Sequence, residues 1–172
     1  MIRDDLPSTS DMLILARTLR APDREELFLG TGQPDPVDSI RDAMDASYLC
    51  ESLRFDNGTL AAIWGVVPQP AATGSIWMLC SDGVEARPSQ FLRACPALVQ
   101  YAHTIYPTLL CAPWRGNALH LRWLEWLGFT PGAVHGHFQL YSHVRTTCSS
   151  HPDAGSYSGQ RSDATERGRQ RR

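Results

Sequence analysis

The side chains in this sequence that could do chemistry are six histidines, five cysteines and scattered acids, and no lysine is among them, because all 16 basic residues are arginine. Without an ε-ammonium the chain can neither form a Schiff base nor hold phosphate as the lysine of a P-loop or a kinase does. Pyridoxal enzymes, Walker NTPases and ordinary kinases are thereby excluded. His135 and His137 stand two apart, a spacing that puts both imidazoles on one face of a strand, but no third ligand is spaced to join them and no metal site is predicted. No Ser-His-Asp or Cys-His arrangement follows from spacing, so no catalytic residue is assigned. The cysteines (Cys50, Cys80, Cys95, Cys111, Cys148) are odd in number and lack any Cys-x-x-Cys pair. They read as reduced, mostly buried small residues. Five tryptophans (Trp64, Trp77, Trp114, Trp123, Trp126) are either wedges in a core or, where exposed, anchors for another protein.

The elements that must position these groups are legible as alternating helical and extended segments. Ser8-Thr-Ser-Asp11 offers N-caps for a helix through Arg20, and Asp38 or Ser39 caps a second through Ala46. Two apolar runs, 48–55 and 60–67, flank Asp56-Asn57-Gly58 and predict a β-hairpin. Residues 75–80 predict a third strand. A helix is expected from Pro88-Ser89 to about Tyr106, kinked by Pro96, then a short strand at 108–112. Asn117 caps a helix at 118–127, Gly128 stops it, and residues 133–144 predict one closing strand. With a short opening strand near Ile2, the order is strand, two helices, three strands, helix, strand, helix, strand. That is an α/β chain, a mixed α+β layered sandwich.

Composition divides the chain once. Residues 1–145 carry eleven arginines against fifteen acids, and the Ser/Gly/Arg-rich remainder, 146–172, carries five arginines against Asp153, Asp163 and Glu166. The expectation is one domain over 1–145 with a net charge of −4, followed by a disordered tail of +2. Such a tail either stays solvated or makes weak, salt-sensitive contact with nucleic acid. No run reaches the ~18 apolar residues of a membrane span, and the acidic first residues do not read as a signal peptide, so a cytosolic protein without membrane contact is expected.

The segment Asn117-Ala-Leu-His-Leu-Arg-Trp-Leu-Glu-Trp-Leu-Gly-Phe129 resembles the closing helix motif of GNAT-type N-acetyltransferases. Asn caps the helix, Leu121, Leu124 and Leu127 line its inner face, Gly128 takes the left-handed cap and Phe129 returns to the core. A wider set of motifs, Pro36-Val-Asp-Ser-Ile-Arg-Asp-Ala-Met, Ala62-Ile-Trp-Gly-Val-Val, Gly74-Ser-Ile-Trp-Met-Leu, Phe91-Leu-Arg and the 117–129 segment, is similar in order and spacing to small phage proteins related to internal virion protein A of short-tailed phages. That resemblance implies a GNAT-like acyl-CoA N-acyltransferase fold, a central mixed, mostly antiparallel sheet flanked by helices. It also implies a place among phage virion or assembly proteins, in the virion and, during assembly, in the host cytoplasm.

The GNAT resemblance further implies where acetyl-CoA would sit. Family members bind its pyrophosphate with backbone N–H groups of a Gly-rich loop after the fourth strand, and a tyrosine seven residues past the asparagine protonates the leaving thiolate. The matching loop here, Cys80-Ser-Asp-Gly-Val-Glu-Ala-Arg-Pro-Ser89, has one glycine flanked by Asp82 and Glu85, and the acid's position holds Leu124. Were acetyl-CoA to bind, Ser81, Asp82, Gly83, Arg87 and Asn117 would hold it, with His120 over the groove. The sequence instead predicts a catalytically degenerate scaffold that binds other proteins and takes no cofactor, the alternative being an active acetyl-CoA-dependent N-acetyltransferase.

Overall fold

The computed structural model describes residues 2–4 and 6–145. The expected tail at 146–172, and Cys148 within it, lie outside the described residues.

Chain order is β1 (Ile2–Asp4), α1 (Thr9–Thr18), α2 (Ala21–Thr31), α3 (Pro36–Ala46), β2 (Leu49–Arg54), β3 (Leu60–Gln69), β4 (Thr73–Cys80), α4 (Gly83–Ala86), α5 (Pro88–Ile105), β5 (Thr108–Cys111), α6 (Ala118–Trp126), β6 (Thr130–His135) and β7 (Phe138–Val144). The strands form one sheet in the order β1-β2-β3-β4-β5-β7-β6. Every pairing is antiparallel except β4 with β5.

Local chemistry explains most boundaries. Ser8 and Asp11 make a reciprocal capping box at the start of α1. Asp11 also takes the guanidinium of Arg54, which bolts α1 to β2. The β2–β3 turn closes as the sequence predicts, with Gly58 at φ 83 and Asn57 Oδ1 accepting from the N–H and hydroxyl of Thr59. Pro96 forfeits one main-chain bond inside α5 without ending it.

Side-chain alternation along β3 and β4 sorts the core onto two faces. Ala62, Trp64, Val66, Ile76, Met78 and Cys80 meet α5 and α6 through Phe91, Cys95, Leu98, Val99 and Leu124. Ile63, Trp77 and Leu79 meet α1 and α3 through Met12, Leu15, Leu19 and Ile40. Gly65 lets the sheet close here, because a Cβ would sit 2.9 Å from Trp77 Nε1, which instead donates to Ser47 Oγ at 2.9 Å. No helix among the described residues is long and apolar enough to cross a membrane.

Two expectations change. The residues after Arg20 are not a connector but α2, opened by Pro22 in its first turn and ended by Gly32 at φ 73. The single closing strand is a hairpin, because Gly136 adopts φ 58 and turns the chain between β6 and β7. His135 therefore ends β6 while His137 sits in the turn, and the two exposed imidazoles do not share a strand face. β6 is an outer strand exposed at all six residues, with Pro131 inside it and a register shift between Pro131 and Val134.

Gly74 is the tightest point where β4 meets α5, since a Cβ there would lie 2.5 Å from Val66 Cγ1 and 2.8 Å from the Tyr106 ring. Gly74→Ala is expected to cost about 1–3 kcal/mol through forced displacement of that ring. Urea denaturation checks it, and an unchanged midpoint contradicts the packing described.

Candidate functional site

Strands β4 and β5 run parallel but pair only over Thr73–Ser75 and Thr108–Leu110. Beyond Ser75 they separate, and β4 runs on to Cys80 paired only with β3. The wedge between them holds a cavity of about 330 Å³ that passes through the sheet, because its wall takes Ile76 and Met78 from one face of β4 and Trp77 and Leu79 from the other. Helices α5 and α6 close it on one side through Leu98, Val99, Leu124 and Leu127. Glu26 and Leu27 of α2 border it on the other.

Splaying two strands strands their main-chain groups, and these must find partners. Cys80 pairs with Ala62 in the antiparallel ladder, yet its C=O accepts from Arg20 N–H at 3.1 Å and its N–H donates to Asp23 Oδ2 at 2.8 Å. Both groups thus point away from β3, toward the wedge. Helix α2 continues across the opening at one-turn intervals. Glu26 Oε2 accepts from Trp114 N–H at 3.1 Å just beyond β5, and Gly30 lies against Phe138 at the start of β7, where a Cβ would be 3.5 Å from its ring. Helix α2 is a bar laid over the ends of β4, β5 and β7.

Asp23 is held at this joint. Arg20 Nη2 donates to Asp23 Oδ1 at 2.9 Å, and both side chains are largely removed from solvent. Burial pushes the Asp23 carboxyl up, against the pull of Arg20 and the Cys80 N–H. A second cavity of about 490 Å³ opens beside this pair, between Val84, Glu85 and Pro88 on one side and Leu119, His120 and Trp123 of α6 on the other. The two cavities share Met78, His120 and Trp123.

His120 stands at their junction. Its N–H is capped by Asn117 Oδ1 at 3.1 Å, its ring is tilted on Trp123 at 5.4 Å, and Nδ1 lies 3.6 Å from Glu26 Oε2. This His-Glu pair is the arrangement in the wedge able to move a proton. The thiols beside it are not nucleophiles at neutral pH, because burial pushes Cys95 and Cys111 up to about 12. Leu124, at the position where the resemblance expects an acid, is buried wall. Among the described residues no tyrosine borders either cavity. The Tyr141 hydroxyl donates to Glu125 Oε1 at 3.2 Å and the Tyr106 ring covers Gly74.

The residues expected to hold a cofactor fall elsewhere. Ser81, Asp82, Gly83 and Arg87 lie together in the β4–α5 connection, and Asn117 begins α6, but none of the five borders either cavity. The N–H groups of Ser81, Asp82, Val84, Glu85 and Arg87 donate to the carbonyls of Ala61, Thr18, Ser81, Asp82 and Val84. Ser81 Oγ donates to Leu60 O at 2.9 Å. Gly83 backs onto Phe55, where a Cβ would be 3.1 Å from the ring, and the exposed Arg87 guanidinium lies 4.9 Å from the centre of that same ring. Asn117 is buried, with Nδ2 left without a partner.

Sequence reasoning placed His120 and missed Glu26 and Asp23. Both missed acids belong to α2, and the available signals were Pro22 and Gly32 at its ends. Asp23→Ala leaves a buried guanidinium and the Cys80 N–H unpaired, and is expected to cost about 3–5 kcal/mol. Asp38→Ala, which breaks the exposed Asp38–Arg41 pair, is expected to cost no more than ~1 kcal/mol. Equal losses in urea melts would contradict the joint's role.

No protein-family model matches the sequence, and no curated protein matches it. Solved structures do. A GNAT-family acetyltransferase from Bacillus anthracis is 12% identical at TM-score 0.61, over 81% of this chain and 92% of its own. The ribosomal-protein-alanine N-acetyltransferase from Brucella melitensis is 10% identical at TM-score 0.63, over 84% and 100%. A Bacillus subtilis acetyltransferase in complex with CoA is 10% identical at TM-score 0.55, over 71% and 90%. At these identities the likeness is one of architecture: the chain has the GNAT acetyltransferase fold, a mixed, mostly antiparallel sheet flanked by helices.

Proposed function

We propose that this protein uses the GNAT fold as a protein-binding module of a phage particle or its assembly, and does not transfer acetyl groups from CoA. One observation carries the second half: in the loop that would cradle a diphosphate, the N–H groups of Ser81, Asp82, Val84, Glu85 and Arg87 donate to the protein's own carbonyls. A diphosphate needs convergent free donors and a favourable charge. Here Pro88 removes a donor at the start of α5, Asp82 and Glu85 add repulsion, and Arg87 is engaged with Phe55. The loop therefore does not fit the group. The phage association is supported by the ordered motifs that resemble internal virion protein A relatives, and the protein-binding role by exposed apolar side chains on α6, Leu119 and Trp126. Acetyl-CoA titrated by calorimetry up to ~1 mM is expected to give no saturable heat, whereas a micromolar Kd would overturn this reading.

A second reading is favoured by His120 and Glu26. An apolar cavity of about 330 Å³ with a His-Glu pair on its wall suits acetyl transfer from acetyl-CoA to an amine: the amine attacks the thioester carbonyl, His120 takes the amine proton with Glu26 beside its ring, and the C–S bond breaks as the CoA thiolate leaves and takes up that proton. If transfer activity is found, His120→Ala is expected to lower kcat by ~10²- to 10⁴-fold. An unchanged kcat would remove His120 from the chemistry.

A further inference from the structure

The second cavity, of about 490 Å³, has a wall whose polar groups are out of balance. Its acceptors are in use: Asp23 Oδ1 takes Arg20 Nη2, Asp23 Oδ2 takes the Cys80 N–H, and the Cys80 C=O takes the Arg20 N–H. Its donors are not all in use. A guanidinium carries five N–H donors, and Arg20 Nε is buried without a partner among the described residues. An occupant of this cavity is therefore asked for an acceptor.

Charge narrows the occupant further. Arg20 and Asp23 cancel within the wall, His120 has Glu26 beside it, and Glu85 is exposed. A carboxylate brought inside would face Asp23, an ammonium would face Arg20, and either would lose its water without a free counterion. Most of the remaining wall is apolar. Val84 and Phe91 are buried, and the Phe91 and Trp123 rings lie 5.6 Å apart between centres. The cavity suits an uncharged apolar group with a carbonyl next to it.

The apolar surface does not end at the mouth. Leu92 of α5 and Leu119 of α6 both line the cavity, yet they are exposed at 38% and 61%. Along α6, Leu119, Trp123 and Trp126 fall at i, i+4 and i+7, on one face of the helix, and Trp126 is 59% exposed. A small molecule confined to the cavity would leave that stripe bare. A polypeptide anchored in the cavity would cover it.

We propose that this α5–α6 face docks an uncharged apolar segment of a partner protein, with one side chain entering the cavity and a neighbouring main-chain carbonyl accepting from the Arg20 guanidinium. The proposal rests on the protein-binding reading above and names the chemistry of the partner. The anchor is a large apolar side chain, and the residues on either side of it carry no charge.

Heteronuclear NMR of the full chain tests this with a defined probe, the capped peptide acetyl-Ser-Gly-Leu-Trp-Leu-Gly-Ser-amide. Saturable shifts are expected at Leu92, Leu119, Trp123 and the Arg20 Nε–H. Replacing the tryptophan of the probe by Asp or Lys is expected to weaken binding by roughly tenfold or more. Leu119→Asp is expected to do the same, and the chain should still fold because the position is exposed and an acid suits the first turn of a helix. No saturable shift, or equal binding of the charged probes, would overturn the docking site. An unmoved Arg20 Nε–H would overturn the carbonyl contact. A dimer of this chain that Leu119→Asp dissociates, seen by sedimentation, would overturn the partner in favour of a second copy. Acetyl-CoA added to the same sample separates the two readings. Shifts with a micromolar Kd would overturn the protein-binding module itself, whereas silence from both peptide and acetyl-CoA would overturn the docking site alone.

Discussion

Two parallel strands that pair for three residues and then part create the constraint on which the rest of this molecule is arranged. Separation leaves the edge of β4 with main-chain donors and acceptors that water or a partner must satisfy. In this chain the partner at the end of the strand is internal. Cys80 gives its N–H to Asp23 and its C=O to Arg20, and the helix that Arg20 caps and Asp23 begins then has to lie across the opening. The placement of Glu26 opposite His120 follows from the same helix one turn later.

Two consequences pull in different directions. The apolar hollow between the strands survives, so the fold keeps room for a small group within the sheet. The connection after β4, in contrast, turns back on itself: the single helical turn α4 gives the N–H groups of Val84 and Glu85 to Ser81 and Asp82 carbonyls and packs Gly83 onto Phe55. Burial of apolar walls stabilises the fold regardless of ligand, whereas unpaired N–H groups cost stability when no ligand is present.

Sequence patterns made the strong elements legible. The Asp56-Asn57-Gly58 turn, the Asn117 cap and the stop at Gly128 are local chemistry, and each stands in the structure where the letters place it. What escaped was α2, whose apolar residues Leu27, Phe28 and Leu29 are contiguous rather than spaced around a buried stripe. Besides Leu27, its inner side presents Asp23 and Glu26, which serve main-chain groups, and periodicity of apolar residues cannot report that. The site residues missed with it, Asp23 and Glu26, were hidden for the same reason. The closing hairpin was obscured because β6, exposed throughout, carries no alternating pattern to end at Gly136.

That exposed outer strand bears on how the protein behaves when crowded with copies of itself. A strand with a free edge is a template onto which another chain can add, and a seven-stranded sheet offers that template along its whole flank. Pro131 removes a donor from the row, and the register shift that follows it bends the strand out of line before Val134. An incoming strand would meet an interrupted ladder, which disfavours extension of the sheet at β6. The irregularity that cost β6 its legibility also makes it a poor template for edge-to-edge addition.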